Sequence, residues 1–269
     1  MAGTGTEPVR GKPVLVGVDG SQGAIVAAGW AAEEAVLRRA DLDILWASGT
    51  SVKRMSAFGR RCLHDASTAA ARVAPELRRH CVAESGDPAE RLIKRSATSA
   101  LIAIGAGGHG QAFLGGVVRA VAARAAAPAV VVRTTAPAPG EIVVGVDDSP
   151  AGDAALAFAA ESAVLRGRPL VPVLVWYDIE TESGARRLLD ERVRITAESW
   201  PKIEIRPRLV RDRDRALGLL GETDDAELIV IGSHGRRLHT RPILGITSHE
   251  VLERARSPVA VIPATFRSS

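Results

Sequence analysis

The stretch Val14-Leu-Val-Gly-Val-Asp-Gly-Ser21 decides the fold, because the chain contains it twice. At an offset of 128 it returns as Ile142-Val-Val-Gly-Val-Asp-Asp-Ser149. Each copy is a short apolar, β-branched run that ends in an acid and a hydroxyl. Such a run reads as a strand buried on both faces. Asp19-Gly20-Ser21 reads as a turn, with Ser21 placed to cap the helix that follows. The same offset carries Trp30-Ala-Ala-Glu-Glu-Ala-Val-Leu-Arg38 onto Phe158-Ala-Ala-Glu-Ser-Ala-Val-Leu-Arg166. Leu101-Ile-Ala-Ile-Gly105 matches Leu228-Ile-Val-Ile-Gly232, and Pro128-Ala-Val-Val-Val132 matches Pro258-Val-Ala-Val-Ile262. A period near 130 residues is too long for a solenoid and indicates two homologous domains. The expected organisation is a flexible tail over 1–12, a first domain over 13–135, a linker over 136–140 and a second domain over 141–264. The linker lies in the small, Pro-rich stretch Thr134–Gly140.

Within the first copy, strand and helix signals alternate. Strands are expected at Val14–Val18, Leu42–Ala47, Cys81–Glu84, Leu101–Ile104 and Ala129–Val132. Helices are expected at Ala24–Arg39, Arg60–Arg79 and Pro88–Ala97, with one more after the Gly-rich loop. Alternation at this spacing implies parallel pairing with right-handed crossovers. The fold class is α/β: two doubly wound domains, each with a five-stranded, mostly parallel sheet flanked by helices. The closing strands Ala129–Val132 and Val259–Ile262 would leave open hydrogen-bonding edges, so they are expected to pair within the chain.

Composition agrees. Of 269 residues, 46% are apolar and 25% charged, which excludes a wholly disordered chain. Aromatics are only 3%, so the core must be built from Ala, Val, Leu and Ile. No apolar run approaches the roughly 20 residues of a membrane span; the best, Val117–Val132, is broken by Arg119 and Arg124. The N-terminus has no apolar segment of signal-peptide type. Cys62 and Cys81 are too few for a disulfide framework or a zinc site, and a cytoplasmic location is the default. The net charge of +4 divides unevenly: residues 1–138 carry 17 basic and 11 acidic side chains, residues 139–269 carry 18 and 20. The arginines are scattered without interleaved aromatics, which argues against nucleic acid as partner.

In sheets of this kind the ligand crevice lies beyond the carboxyl ends of the strands. Two features fall there: the acids closing the first strands, Asp19 and Asp147, and the Gly-rich turns closing the fourth, Gly105-Ala-Gly-Gly-His-Gly110 and Gly232-Ser-His-Gly235. Glycines let backbone amides approach an anion, and the next helix adds its positive end. That suits a nucleotide's phosphates, with a carboxylate accepting from ribose or base. The other reading stands beside it: the acids orient their own turns, and the glycines only permit tight strand-to-helix packing.

Val-Gly-Val-Asp-x-Ser after the first strand, Gly-x2-Gly-x9-Gly after the fourth, and the closing Ser-Pro-Val-x-Val-type strand together resemble the universal stress protein family. The resemblance covers 13–133 and 141–263. It implies a Rossmann-like sheet, domains paired through their last strands, a stress-response role and, in one subclass, ATP or another adenine nucleotide bound at the strand ends. The other subclass lacks the phosphate motif. Association of two chains into a homodimer rests on the resemblance alone.

In the nucleotide-binding subclass, the glycine after the nine-residue spacer is followed by Ser or Thr. Repeat two keeps the spacing at Gly232, Gly235 and Gly245, but the next residue is Ile246, with Thr247 and Ser248 beyond it; Pro242 removes an amide from the spacer. Repeat one, with Gly105, Gly108 and Gly115, has lost three residues between Gly108 and Gly115, and its hydroxyl position is Gly116. Nucleotide binding is therefore assigned to Asp147, Gly232, Gly235, Gly245, Ile246 and Thr247. Asp19, Gly105, Gly108, Gly115 and Gly116 form the weaker candidate. The alternative is an interaction scaffold with degenerate phosphate sites.

No catalytic residue is assigned. Ser21 and Ser149 lack a strained elbow and a base, and helix capping accounts for them. His109 and His234 flank the glycine turns at non-equivalent places and read as loop residues. His239 and His249 lack partners at ligand spacing, so no metal site is expected. His64 and His80 are expected to face solvent. Arg211-Asp-Arg-Asp-Arg215 replaces the Gly86-Asp87-Pro88 turn of repeat one and reads as a solvated, self-neutralising helix start. Trp46 is expected in core or crevice packing, and Trp176 at the wall of a base pocket. Function is expected to be binding, not turnover.

Overall fold

The computed structural model describes residues 11–49, 56–107, 114–133, 139–177, 181–233 and 244–267. In the first repeat β1 (Val14–Val18), α1 (Gln22–Leu37), β2 (Leu42–Ser48), α2 (Ala57–Val73), β3 (Arg79–Ser85), α3 (Pro88–Ser96), β4 (Leu101–Gly105), α4 (Gly116–Arg124) and β5 (Ala129–Val132) follow in order. The second repeat runs β6 (Glu141–Gly145), α5 (Pro150–Arg166), β7 (Leu170–Trp176), α6 (Glu182–Ser199), β8 (Arg208–Arg211), α7 (Arg215–Leu220), β9 (Ala226–Gly232), α8 (Ile246–Arg254) and β10 (Val259–Ile262).

All the strands join one ten-stranded sheet, ordered β3-β2-β1-β4-β5-β10-β9-β6-β7-β8. Every pairing is parallel except the central one, where β5 meets β10 antiparallel with Ala260 opposite Val130. Each repeat thus hides the other's last edge, which satisfies a row of backbone groups that would otherwise invite association. Arg133, just past β5, reaches over the seam and donates to the Leu252 carbonyl of α8. Burial pulls its pKa below the usual arginine value.

Side chains alternate across the sheet with period two, as strand geometry requires. Val14, Val16, Ile142 and Val144 face α1, α2, α5 and α6, while Leu15, Val143, Ile229 and Val259 face α3, α4, α7 and α8. The paucity of aromatics is met by small residues. Ala24, Ala27, Ala28, Ala31, Ala32 and Ala35 line α1 and are buried, which brings the helix axis close to the strands. Ser21 caps α1 through Ala24 N (3.2 Å) and Ser149 caps α5 through Gly152 N (3.0 Å).

Several elements end one or two residues from where the sequence reading puts them, and the second helix differs most. The second helix starts three residues earlier than expected, at Ala57, because Ser56 caps it through Gly59 N. It stops at Val73 instead of running to Arg79, because Pro75 cannot follow a helical residue and Ala74 adopts φ −137°. The released Arg79 then begins β3 and ties the bend with bonds to the Ala74 and Leu77 carbonyls. Pro172 sits inside β7 without breaking the sheet. It lies between the isolated bridge Leu170–Ile205 and the first regular β8 pair, Val173–Arg208, so its missing amide falls in the one gap of the β7–β8 pairing, while its pairing with Val144 of β6 is kept.

No described helix is long and apolar enough to cross a membrane.

Candidate functional site

Both acids stand where the sequence reading places them, at the carboxyl ends of β1 and β6, and each orders its own turn. Asp19 Oδ1 accepts the Ser21 amide at 2.9 Å. Asp147 Oδ1 accepts the Ser149 hydroxyl at 2.5 Å, and Ser149 Oγ in turn accepts the Gly152 amide. Asp19 is exposed, whereas Asp147 is half-buried over a buried Ser149.

The glycines divide by role. Gly105 packs its backbone against the first turn of α1: a methyl group there would sit 2.5 Å from the Gly23 carbonyl oxygen and 2.7 Å from the Ala24 nitrogen. Gly232 does the same against Ala151, its carbonyl carbon and oxygen each 2.9 Å from such a methyl. These two are therefore close-approach glycines, as the packing reading required. Gly115 and Gly116 face open space. Gly115 and Gly245 are the N-cap residues of α4 and α8, and neither helix start receives a side-chain cap. The first-turn amides of both helices thus lack the partner a Ser or Asp cap would supply.

In repeat two, Gly245 N donates to the Ser233 carbonyl (3.1 Å), and the buried Ser248 hydroxyl donates to the Gly232 carbonyl (2.8 Å). Ser248 thus stitches the start of α8 to the end of β9. Thr247 is half-buried, and Ile246 is 83% exposed, so it does not plug the crevice. Gly108, Gly235, His109, His234, His239 and Pro242 lie outside the described residues.

The two crevices are roofed differently. In repeat one, Gly20 (φ 85°) lies under α2, where a methyl group would be 2.8 Å from Cys62 Sγ and 3.2 Å from Phe58 Cζ. Gly59 packs on the buried Trp46 ring. An apolar lid thus leans on the turn beside Asp19. In repeat two, Arg192 of α6 does the spanning, with Asp148 at 3.2 Å and Asp153 at 2.7 Å. Sequence reading missed this lid, because α2 and α6 do not align residue by residue.

Burial, followed by the nearby Asp19 charge, pushes the Cys62 thiol up from its ordinary pKa. Cys81 is exposed. At pH 8, a disulfide reagent is expected to modify Cys81 promptly and Cys62 only on unfolding. Two equally fast thiols would contradict this packing.

The charged run Arg211–Arg215 corrects the sequence reading. Asp214 caps α7 through Ala216 N and Leu217 N, and Asp212 accepts the Asp214 amide. The carboxylates serve the backbone, and two of the three arginines lie over aromatic rings: Arg211 over Trp176 at 5.3 Å, Arg213 over Tyr177 at 5.0 Å. Trp46 and Trp176 are both buried. His64 is exposed and His80 is half-exposed near Asp41, while His249 lies 3.3 Å from Glu253 on its own helix. Among the described residues no His, Cys, Asp and Glu group has the arrangement of a metal site.

Fold and site together define a tandem, doubly wound α/β protein with one crevice per repeat at the carboxyl ends of a shared sheet. The model of the universal stress protein family matches 11–133 and again 140–263, and the chain belongs to that family. It is 30% identical to a universal stress protein of Mycolicibacterium smegmatis, over 93% of this chain and 96% of the relative. It is 28% identical to one from Mycobacterium tuberculosis H37Rv, over 95% of this chain and 98% of the relative. In solved structures the fold is shared with a universal stress protein from Archaeoglobus fulgidus, with TM-score 0.72 at 20% identity over 94% of this chain and 98% of that one.

Proposed function

We propose that the protein binds an adenine nucleotide such as ATP in the crevice of repeat two, and acts in stress response through that binding without turnover. The observation that carries the reading is the uncapped start of α8, the helix after β9, whose neighbour in the sheet is β6 with the half-buried Asp147 past its end. Open amides at a helix N-terminus attract phosphate, and a carboxylate has lone pairs to spare for a ribose hydroxyl. Repeat one has the same uncapped helix start, but Phe58 and Cys62 pack on the Gly20 turn beside its Asp19 and its glycine loop is shorter. We therefore place the stronger site in repeat two.

Saturating nucleotide at 100 times Kd stabilises a fold by about 2.7 kcal/mol, so ATP or ADP is expected to raise the melting temperature. Ile246→Ser returns a hydroxyl to an exposed position at the first residue of α8. A hydrogen bond to a charged group is worth ~1.5–3 kcal/mol, so this variant is expected to bind ATP about tenfold more tightly. A melting temperature that millimolar ATP and ADP leave unmoved in both proteins refutes the reading. Contacts of the outer surface with other proteins would then be the function.

A further inference from the structure

We propose that the second crevice is built for a nucleotide with phosphate at two places: one group on the 5′ side at α8, and another on the 2′ or 3′ ribose oxygen, held by Arg211 and Arg213. This rests on the nucleotide reading above and names the ligand class of the same site.

Trp176 closes β7 and Arg211 closes β8, and the two are register partners at the carboxyl edge. The Arg211 guanidinium lies over the indole, and Arg213 lies over the Tyr177 ring with its Nε donating to the phenol oxygen at 2.5 Å. Both arginines are exposed. Many other arginines of the chain are paired with carboxylates, as at Arg38, Arg95, Arg166, Arg206 and Arg208, while Arg79 and Arg133 are held by backbone carbonyls. Arg211 and Arg213 have no carboxylate partner among the described residues, because Asp212 and Asp214 are turned to backbone amides. Two guanidinium groups are thus held over rings, with N–H groups left to donate to a ligand. Stacking lowers the entropy lost on binding, and the planar fork suits a phosphate.

Position gives the ligand class. The strand order β8-β7-β6-β9 puts Asp147 between two electropositive regions, the start of α8 beyond β9 and the arginine pair at β7 and β8. With strands about 4.8 Å apart, these regions stand roughly 10–14 Å from each other. One 5′-phosphate chain anchored at α8 leads away from the arginines. A second phosphate on the ribose, which Asp147 would bring over β6, leads toward them. Repeat one builds no such corner. There Ser48 closes β2 with no ring and Gly49 follows it, Gly86 (φ 122°) begins the turn after β3, and Arg91 is drawn toward Glu84 at 3.8 Å.

The test compares adenosine 3′,5′-bisphosphate and 2′,5′-bisphosphate with ADP, which carries the same number of phosphates, by calorimetry on the full chain. One of the bisphosphates is expected to bind at least tenfold more tightly than ADP. The double variant Arg211→Gln/Arg213→Gln is expected to lose that preference while keeping its affinity for ADP, which shows that the crevice is still folded. Equal affinities in the natural chain, or a preference that survives in the double variant, overturn the inference and leave the simpler nucleotide reading standing. Failure of all three ligands to bind overturns both.

Discussion

Replacing Glu34 by Gln is expected to cost about 3 kcal/mol of folding stability, the low end of what removal of one partner from a buried ion pair exacts. Glu34 is 2% exposed on α1, and its carboxylate joins the two repeats. One oxygen receives Arg38 Nε of its own helix at 2.6 Å, and the other receives Arg166 from α5. Arg38 continues to Glu161 at 2.7 Å, and Arg166 and Arg168 converge on Glu227. Burial works against the Arg38 charge, but Glu34 and Glu161 outweigh it and hold its pKa above the ordinary value. The same arginines lie over each other's aromatic counterparts: Arg38 over Phe158 at 5.1 Å and Arg166 over Trp30 at 5.7 Å. Trp30 and Phe158 are equivalent under the 128-residue offset, as are Arg38 and Arg166. The contact is therefore reciprocal across the pseudo-twofold. Glutamine keeps the shape of Glu34 and removes the charge from beneath two guanidinium groups, neither of which can leave its ring without exposing it.

Urea denaturation of Glu34→Gln, Arg166→Met and the pair together gives the coupling directly. An interaction energy above about 1 kcal/mol is expected for groups in direct contact. A Glu34→Gln protein within about 0.5 kcal/mol of the natural chain would mean that the network is ornamental.

Gly105→Ala is expected to destabilise by about 2–3 kcal/mol, in the range of overpacking a filled interior. The added methyl would press on the Gly23 carbonyl and the Ala24 amide, and these are backbone atoms of a capped helix that cannot rotate aside. Either α1 lifts from the sheet or β4 shifts. Gly23→Ala, on the other side of the same contact, would place its methyl 3.4 Å from the Ala106 carbonyl oxygen, and the second repeat already has Ala151 there. It is expected to cost under about 1 kcal/mol. Gly116→Ala, facing open space at the first residue of α4, is expected to be neutral or slightly stabilising, since alanine is the better helix former. The urea midpoints of the three variants separate the roles of glycines that look alike in sequence. Equal losses at Gly105 and Gly116 would show that the loop, and not the helix contact, sets the cost.

Much of this architecture could be read from the chain because it depends on local chemistry. An apolar β-branched run, a Ser at a helix start and a Pro after a helix act through their immediate neighbours. The repetition of Val14–Ser21 at Ile142–Ser149 makes each such reading twice over, and the edge exposed by each last strand leaves little choice but the β5–β10 pairing seen here. The second helix is the exception to the expected spans, since Pro75 ends it at Val73 by an effect as local as any.

The site was legible only in outline. The sequence by itself determined the twofold α/β plan, the end of the sheet where a ligand crevice must lie, and which acids and glycines stand there. Tertiary structure alone decided what those residues do. Gly105 and Gly232 are occupied by helix contacts, Ser248 is turned inward, Phe58 and Cys62 pack on the Gly20 turn, Arg211 and Arg213 lie over aromatic rings, and Glu34 binds one repeat to the other. The physical reason is distance along the chain. A strand or a cap is fixed by residues within a few positions, whereas the partner of a charge or a glycine surface comes from another element, as far along the chain as Arg166 is from Glu34, and no local pattern records which of them arrives.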